Sequence, residues 1–130
     1  MKTYTVTLGG QTLELLYRMQ DRDAVENMVP RSDNTPGSMV NMVGEHCLKG
    51  GGSFSVMAAL LWAGLAHLGS EWDLSRVRVE FGKIVQASVP GGVSAINTAI
   101  YKAVFTSGVL GFVRDPDADT EKETGKDPAA

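Results

Sequence analysis

The chain has 130 residues, 43% of them hydrophobic, which is enough for one domain with a hydrophobic core. Its net charge is −3, and the excess lies in residues 114–130, which hold six acidic and three basic side chains. The first 113 residues are neutral and have no basic cluster, so nucleic acid is not expected as the main ligand.

A β-hairpin is predicted over residues 3–18. Threonine alternates with larger apolar side chains over residues 3–8, which is the period of a half-buried strand. Gly9 and Gly10 follow, and two glycines allow the positive φ angles of a two-residue hairpin turn. The return strand carries Leu13, Leu15 and Tyr17 on one face. An isolated hairpin is marginally stable in water, so this one is expected to pack on helices or on a neighbouring subunit.

Five helices are predicted from start signals and from apolar residues at helical spacing. The start signals are Asp21, Thr35-Pro36, Ser53 and Asp73, and Pro90-Gly91-Gly92 separates the last two helices. The predicted ranges are about 22–28, 36–48, 54–68, 74–87 and 93–107. We therefore expect a mainly helical α+β fold in residues 1–113, with the hairpin packed on a bundle of four to five helices. Residues 114–130 are expected to form an acidic, flexible tail.

The third predicted helix, residues 54–68, has no charged side chain and no evident solvent-facing side. Its 15 residues are too few for a membrane span, which needs about 20. Residues 93–113 are long enough, but polar side chains and glycines dilute their hydrophobicity. We expect no membrane span, and we interpret residues 54–68 as the central helix of the fold.

One face of the fourth predicted helix carries apolar side chains opposite charged ones. These side chains are Leu74, Val77, Phe81, Ile84 and Val85. Residues 77–81 also alternate in the manner of a strand, so the sequence leaves a strand open for this segment. We interpret the segment as a helix because Asp73 is a start signal and these apolar side chains share one helical face.

Few residues suggest catalytic chemistry. Glu45, His46 and Cys47 are adjacent on a predicted helix and point in different directions, so we place Cys47 in the core and the other two on the surface. His67 is expected to bond carbonyl groups at a helix end. One cysteine and two histidines on separate helices do not favour a zinc site. We expect no metal, no cofactor and no enzymatic activity.

The sequence also indicates a cellular compartment for the protein. The single cysteine, Cys47, excludes an internal disulfide and suits a reducing environment. Residues 1–10 lack the apolar core of a secretion signal. A cytoplasmic location is therefore expected.

Two segments resemble the tail assembly chaperones of long-tailed phages and the related gene-transfer-agent tail proteins. Residues 4–11, YTVTLGGQ, with the following LEL, are similar to the opening hairpin of that family. Residues 59–67, ALLWAGLAH, are similar to its central helix, and residues 74–85 to the amphipathic helix that follows. The 30–36 loop and the triple glycine at 50–52 depart from the pattern.

The resemblance implies a non-enzymatic chaperone in the host cytoplasm. Such a protein binds the long, apolar, helical tape-measure protein before the tail tube forms, and self-association is also expected. The client-binding segments are expected around 39–43, 57–65 and 96–105. The methionines of the first two segments can adapt to varied apolar partners. The candidate partner-binding residues are Met39, Met42, Val43, Met57, Leu61, Trp62, Leu65, Ile100, Tyr101 and Phe105.

Two alternatives remain open from the sequence. The chain could be a structural virion protein, such as a tail or connector subunit, whose hairpin pairs with neighbouring subunits by strand addition. The other alternative, an enzyme that uses Cys47 or His46, has the weakest basis.

Overall fold

The computed structural model describes residues 3–28, 38–48, 53–88 and 90–114. Within these ranges the chain forms a two-stranded antiparallel hairpin followed by five α-helices. The elements are β1 (Tyr4–Leu8), β2 (Gln11–Leu15), α1 (Met19–Met28), α2 (Met39–Met42), α3 (Phe54–Leu65), α4 (Leu74–Ala87) and α5 (Gly92–Ser107). The predicted fold class, an N-terminal hairpin with a mainly helical remainder, is confirmed.

The hairpin has the predicted turn and the predicted buried face. Gly9 and Gly10 have φ angles of 56° and 78°, as a type I′ turn requires. The register pairs Leu8 with Gln11 and continues without interruption to Tyr4 and Leu15. The side chains that point into the core are Val6, Leu8, Leu13 and Leu15. Because β1 lies against α5 and β2 against α3, the helices supply the support that an isolated hairpin lacks.

Helix α3 is the centre of the fold, as its apolar sequence predicts. Its buried residues are Met57, Ala58, Ala59, Leu60, Leu61, Ala63, Gly64 and Leu65. The predicted cap is present, since the Ser53 hydroxyl accepts from the Val56 amide at 3.5 Å. The α-helix ends at Leu65, and one 3₁₀ turn, Ala66–Leu68, completes the predicted range.

The return strand ends at Leu15 rather than at residue 18, and the two residues after it bond the hairpin to α3. The Tyr17 hydroxyl donates to the Leu60 carbonyl at 2.7 Å, and the Leu16 amide donates to the Gly64 carbonyl at 2.9 Å. A Cβ atom at Gly64 would lie 2.7 Å from the Tyr17 ring, so the absence of a side chain allows this close approach.

The start of α1 differs from the sequence-based expectation. The helix begins at Met19, and Asp21 lies in its first turn rather than at its N-cap. The Asp21 carboxylate accepts from the Arg18 amide at 2.9 Å and from the Arg18 guanidinium at 2.9 and 3.0 Å. This is the reciprocal bond of a capping box, in which a first-turn side chain reaches back to the N-cap amide. Asp21 does stabilise the helix start, but from a position inside the helix.

The second helix is shorter and less regular than predicted. It begins at Met39 instead of residue 36 and changes to π-helical turns over Val43–Leu48. The π-helical segment packs against α5, so tertiary contacts accompany its wider turns. The Thr35-Pro36 start signal, the 50–52 glycines and residues 115–130 of the proposed tail lie outside the described residues.

The last two helices follow the prediction closely. Asp73 caps α4, since its carboxylate accepts from the Arg76 amide at 2.9 Å, and the helix ends at Ala87 as expected. Residues 77–81 are therefore helical rather than extended. Helix α5 begins at Gly92, one residue before the predicted start, and ends at Ser107.

Candidate functional site

Most of the predicted partner-binding residues lie in the core. The buried ones are Met39, Met42, Val43, Met57, Leu61, Leu65 and Ile100. Trp62, Tyr101 and Phe105 are half-buried and pack against the core. In this conformation the ten residues do not form one exposed surface, and their role in partner binding stays a prediction.

The half-buried aromatic residues of α5 belong to a small cluster at its C-terminal end. Tyr101 and Phe105 meet edge to face with ring centroids 5.7 Å apart, and Phe112 follows at 6.3 Å from Phe105. The Arg114 amide donates to the Phe105 carbonyl at 2.8 Å, so the chain after α5 folds back against the end of that helix. Phe112 is half exposed, so this cluster continues from the core to the surface.

A surface groove of about 600 Å³ runs along the outer side of α4. We call it the α4 groove, and it is lined by Phe54, Arg78, Val79, Gly82, Lys83, Val85 and Gln86. Val79 is 56% exposed and Val85 is 39% exposed. Val85 was expected on the buried face of α4, and this expectation is wrong because the helix buries Val77 and Phe81 and turns Val85 outward.

Phe54 is the aromatic residue that lines the α4 groove, and a buried ring supports it. The Phe54 ring stacks on the buried Phe81 ring with centroids 5.3 Å apart and planes within 12°. A Cβ atom at Gly82 would lie 3.7 Å from Phe54, which is an ordinary contact distance. The aromatic surface beside Gly82 is therefore left open by the lack of a side chain there.

Basic side chains border this apolar surface. The Arg78 guanidinium lies 5.7 Å from the Phe54 ring centroid, within the range of a cation–π contact. The Lys83 ammonium is 3.4 Å from the Glu80 carboxylate, and its side chain is 67% exposed. The Glu80 side chain is only 17% exposed, but Lys83 extends into solvent and can therefore also contact a ligand in the groove.

A second groove, of about 360 Å³, lies beside the hairpin. We call it the edge groove, and it is lined by Thr5, Val6, Thr7, Ile84, Gly92, Ala95 and Ile96. Strand β1 forms one wall, and α4 and α5 form the other. The walls are mostly apolar, and the backbone of β1 supplies polar groups along one side.

The reactive side chains lie only partly where the sequence predicts them. Cys47 is buried as expected, Glu45 is exposed and His46 is partly buried. The His46 Nδ1 atom accepts from the Ser53 amide at 3.1 Å. His67 was expected to bond carbonyls at the end of its own helix, but its Nε2 atom lies 2.8 Å from the Glu14 carbonyl of β2. Both histidines thus have structural contacts.

Burial determines the ionisation of Cys47. It raises the pKa of the thiol from 9.0 to about 12, so the neutral thiol is the form present at neutral pH. Burial also raises the pKa of Tyr17 well above 10.0, and the nearby Cys47 and Asp21 add to the rise. These are the surroundings of a structural cysteine rather than of a thiolate nucleophile.

A pH dependence of stability follows from these two groups. Each folded-state pKa lies above the unfolded value, so the unfolded chain loses its proton first as pH rises. The stabilisation is complete below about pH 9 and is lost from there upward, at most at about 1.4 kcal/mol per pH unit for each group. Urea unfolding on both sides of pH 9 measures this loss.

The matched variant is Cys47→Ala, which removes the lower of the two transitions. Its stability is expected to remain constant to a higher pH than that of the natural chain, until Tyr17 begins to contribute. If the stability of the two proteins falls in parallel as pH rises, the Cys47 thiol has the same pKa in the folded and in the unfolded chain.

Searches for metal and membrane sites give negative results for the described parts of the chain. No group of three histidine, cysteine, aspartate or glutamate side chains there is arranged to hold a metal ion. No helix in those parts has both the length and the hydrophobicity to cross a membrane.

Comparison with known proteins gives no assignment: no family model, no curated protein and no solved structure matches this chain. The features that bear on function are therefore the two grooves and the resemblance of the hairpin and of α3 to the phage chaperones.

Proposed function

We propose that this protein is a tail assembly chaperone that binds the apolar, helical tape-measure protein and keeps it soluble before the tail tube forms. The observation that carries the proposal is the α4 groove, an open apolar surface based on stacked aromatic rings. The resemblance of residues 4–15 and 59–67 to that family supplies the identity of the client.

The shape of the α4 groove suits a helical client. Six of its seven lining residues lie within residues 78–86, so the groove follows about two turns of α4. An amphipathic helix places apolar side chains at intervals of three and four residues, which matches a groove of this kind. Phe54, Val79 and Val85 are the apolar contacts that we expect such a helix to make.

The charged side chains beside the α4 groove indicate which client segments bind best. Arg78 and Lys83 border the groove, and none of the described residues that line it is acidic, although Glu80 lies 3.4 Å from Lys83. A client helix with acidic residues beside its apolar stripe is therefore favoured, because such charges complement the two basic side chains. Segments with lysine or arginine at these positions are expected to bind more weakly.

This proposal moves the client-binding site away from all ten residues suggested by the sequence, none of which lines the α4 groove. Seven of those ten are buried, so a client could reach them only if the helices separated. The α4 groove needs no such opening, since Val79 and Val85 are already exposed. Binding to the folded chain is thus the simpler mechanism.

Co-expression with the tape-measure protein of the same gene cluster tests the proposal. We expect the soluble fraction of the client to rise and the two proteins to purify together. The matched control is co-expression with Val79→Asp, which places a carboxylate on the apolar wall of the groove. If the client gains no solubility with the natural chain and does not purify with it, the proposal is wrong.

A second candidate function, a structural subunit of the virion, is favoured by one observation. Among the described residues nothing pairs with the outer edge of strand β1 beside the edge groove, and subunits can join by strand addition at such an edge. Mass spectrometry of purified particles separates the two functions. A structural subunit is present in the particle in stoichiometric amounts, whereas a chaperone is absent or scarce.

A further inference from the structure

The outer edge of β1 carries unpaired backbone groups whose positions follow from the hairpin register. In a two-residue hairpin the pair that closes the turn, here Leu8 and Gln11, exchanges both hydrogen bonds. Bonded and non-bonded pairs then alternate, so the pairs of Thr7 with Thr12 and of Thr5 with Glu14 are non-bonded. The amide and carbonyl groups of Thr5 and Thr7 therefore point away from β2.

The two edges of the hairpin are used differently. On the β2 edge, the Glu14 carbonyl is bonded to His67 at 2.8 Å, and Leu16, two residues further along, donates to Gly64. On the β1 edge, Thr5 and Thr7 line the edge groove instead. Their outward backbone groups have no hydrogen-bond partner in the described parts of the chain.

The β1 edge also lacks the features that protect most exposed edges. Monomeric proteins place a lysine, a proline or a bulge at a free strand edge. Residues 3–8 contain neither a charged side chain nor a proline, and the pairing with β2 is continuous, without a bulge. A strand of this kind can approach a second identical strand without repulsion between like charges.

We propose that the β1 edge is a homodimer interface, at which β1 of a second copy of this chain pairs antiparallel with β1. The argument for a second copy is that the edge is complementary to itself. A two-fold axis at Val6 sets Thr5 of one chain opposite Thr7 of the other. Since both residues have outward groups, each of the two pairs forms two hydrogen bonds, and all the outward groups of Thr5 and Thr7 are satisfied.

Side chains add to this pairing on the inner face. Val6 faces its own copy across the axis as a non-bonded pair, the arrangement in which side chains lie closest. The Val6 side chain of the second copy then lies over the groove wall formed by Ile84 and Ile96. On the outer face, Thr5 and Thr7 form cross-strand threonine pairs. The dimer thus covers apolar surface as well as satisfying the strand edge.

Proline variants on the two edges test this interface. Thr7→Pro removes an amide that points outward, so it leaves the hydrogen bonds of the hairpin intact. Thr12→Pro makes the same change in the same residue pair but on the β2 edge, and it is the matched control. Analytical ultracentrifugation of the full chain is expected to give twice the monomer mass of 13.9 kDa for the natural protein and for Thr12→Pro.

Thr7→Pro is expected to dimerise at least about tenfold more weakly, because two of the four hydrogen bonds are lost. A natural chain that is monomeric at every concentration overturns the proposal, as does a Thr7→Pro variant that dimerises normally. If Thr7→Pro does not fold, amide exchange in the natural chain decides. Protection of the Thr5 and Thr7 amides that rises with protein concentration supports the interface, and exchange as fast as at Thr12 overturns it.

This inference does not depend on the proposed chaperone function. The dimer is measured without a client, and client binding at the α4 groove is measured without reference to the dimer. Failure of one experiment therefore leaves the other result intact.

Discussion

Phe81→Ala is expected to lower the free energy of unfolding by about 3–5 kcal/mol. Phe81 is completely buried, and its ring stacks on Phe54 at 5.3 Å, so the truncation leaves a cavity between α3 and α4. It also removes the support of the α4 groove, since Phe54 loses the ring on which it stacks. Urea unfolding followed by circular dichroism measures the stability.

The control for this change is Val79→Ala, two residues earlier on the same helix. Val79 is 56% exposed, so its truncation is expected to change the stability by no more than about 0.5 kcal/mol. A Phe81→Ala variant as stable as Val79→Ala would show that α4 does not bury Phe81 and that the groove has a different base.

Gly64→Ala is expected to lower the free energy of unfolding by about 3 kcal/mol. The new methyl group would lie 2.7 Å from the Tyr17 ring and 2.8 Å from Leu15, which is too close for any real contact. Overpacking costs about 1–3 kcal/mol, and displacing the Tyr17 hydroxyl from the Leu60 carbonyl costs about 1–3 kcal/mol more. The better helix propensity of alanine offsets about 1 kcal/mol of this loss.

Gly82→Ala is the matched control, because it is also a glycine inside a helix. Its nearest neighbour, Phe54, would be 3.7 Å from the new Cβ atom. The stability is therefore expected to rise by about 0.5–1 kcal/mol. Equal effects at Gly64 and Gly82 would contradict the close approach of the hairpin to α3.

The fold could be predicted from the sequence where a local signal has one interpretation. Gly9-Gly10 between alternating strands allows only a hairpin, and Ser53 and Asp73 both cap the helices that they precede. Asp21 was misplaced because a carboxylate can accept from backbone amides either at the N-cap or three residues later. The π-helical turns at Val43–Leu48 have no sequence signal, and they pack against α5, which is distant in sequence.

The candidate site was harder to predict than the fold. Met57, Leu61 and Leu65 were chosen as partner-binding residues because they are apolar, but the same property selects residues for the core. The α4 groove depends on which side of α4 is buried, and this is set by the packing of Phe81 against Phe54. Two features of the sequence could have indicated the α4 groove. One is an extra valine, Val79, outside the buried face, and the other is Gly82 in the middle of a helix.

The two grooves suggest a division of roles within one small chain. The α4 groove presents an apolar surface with basic borders, whereas the edge groove presents backbone hydrogen-bonding groups. Ile84 lines the edge groove, and its neighbours Lys83 and Val85 line the other. A dimer formed at β1 would therefore carry two α4 grooves, and two linked sites bind a long client more tightly than one site does.

Calorimetric titration with a tape-measure segment measures directly whether the α4 groove binds a helical apolar client. The segment is titrated into the natural chain, into Val79→Asp and into Met19→Asp, whose residue is 61% exposed on α1 and does not line the groove. We expect Val79→Asp to bind at least about tenfold more weakly, because the change buries a carboxylate in place of an apolar side chain. Met19→Asp is expected to bind as the natural chain does. Equal affinities for all three proteins, or no binding by the natural chain, would contradict the account.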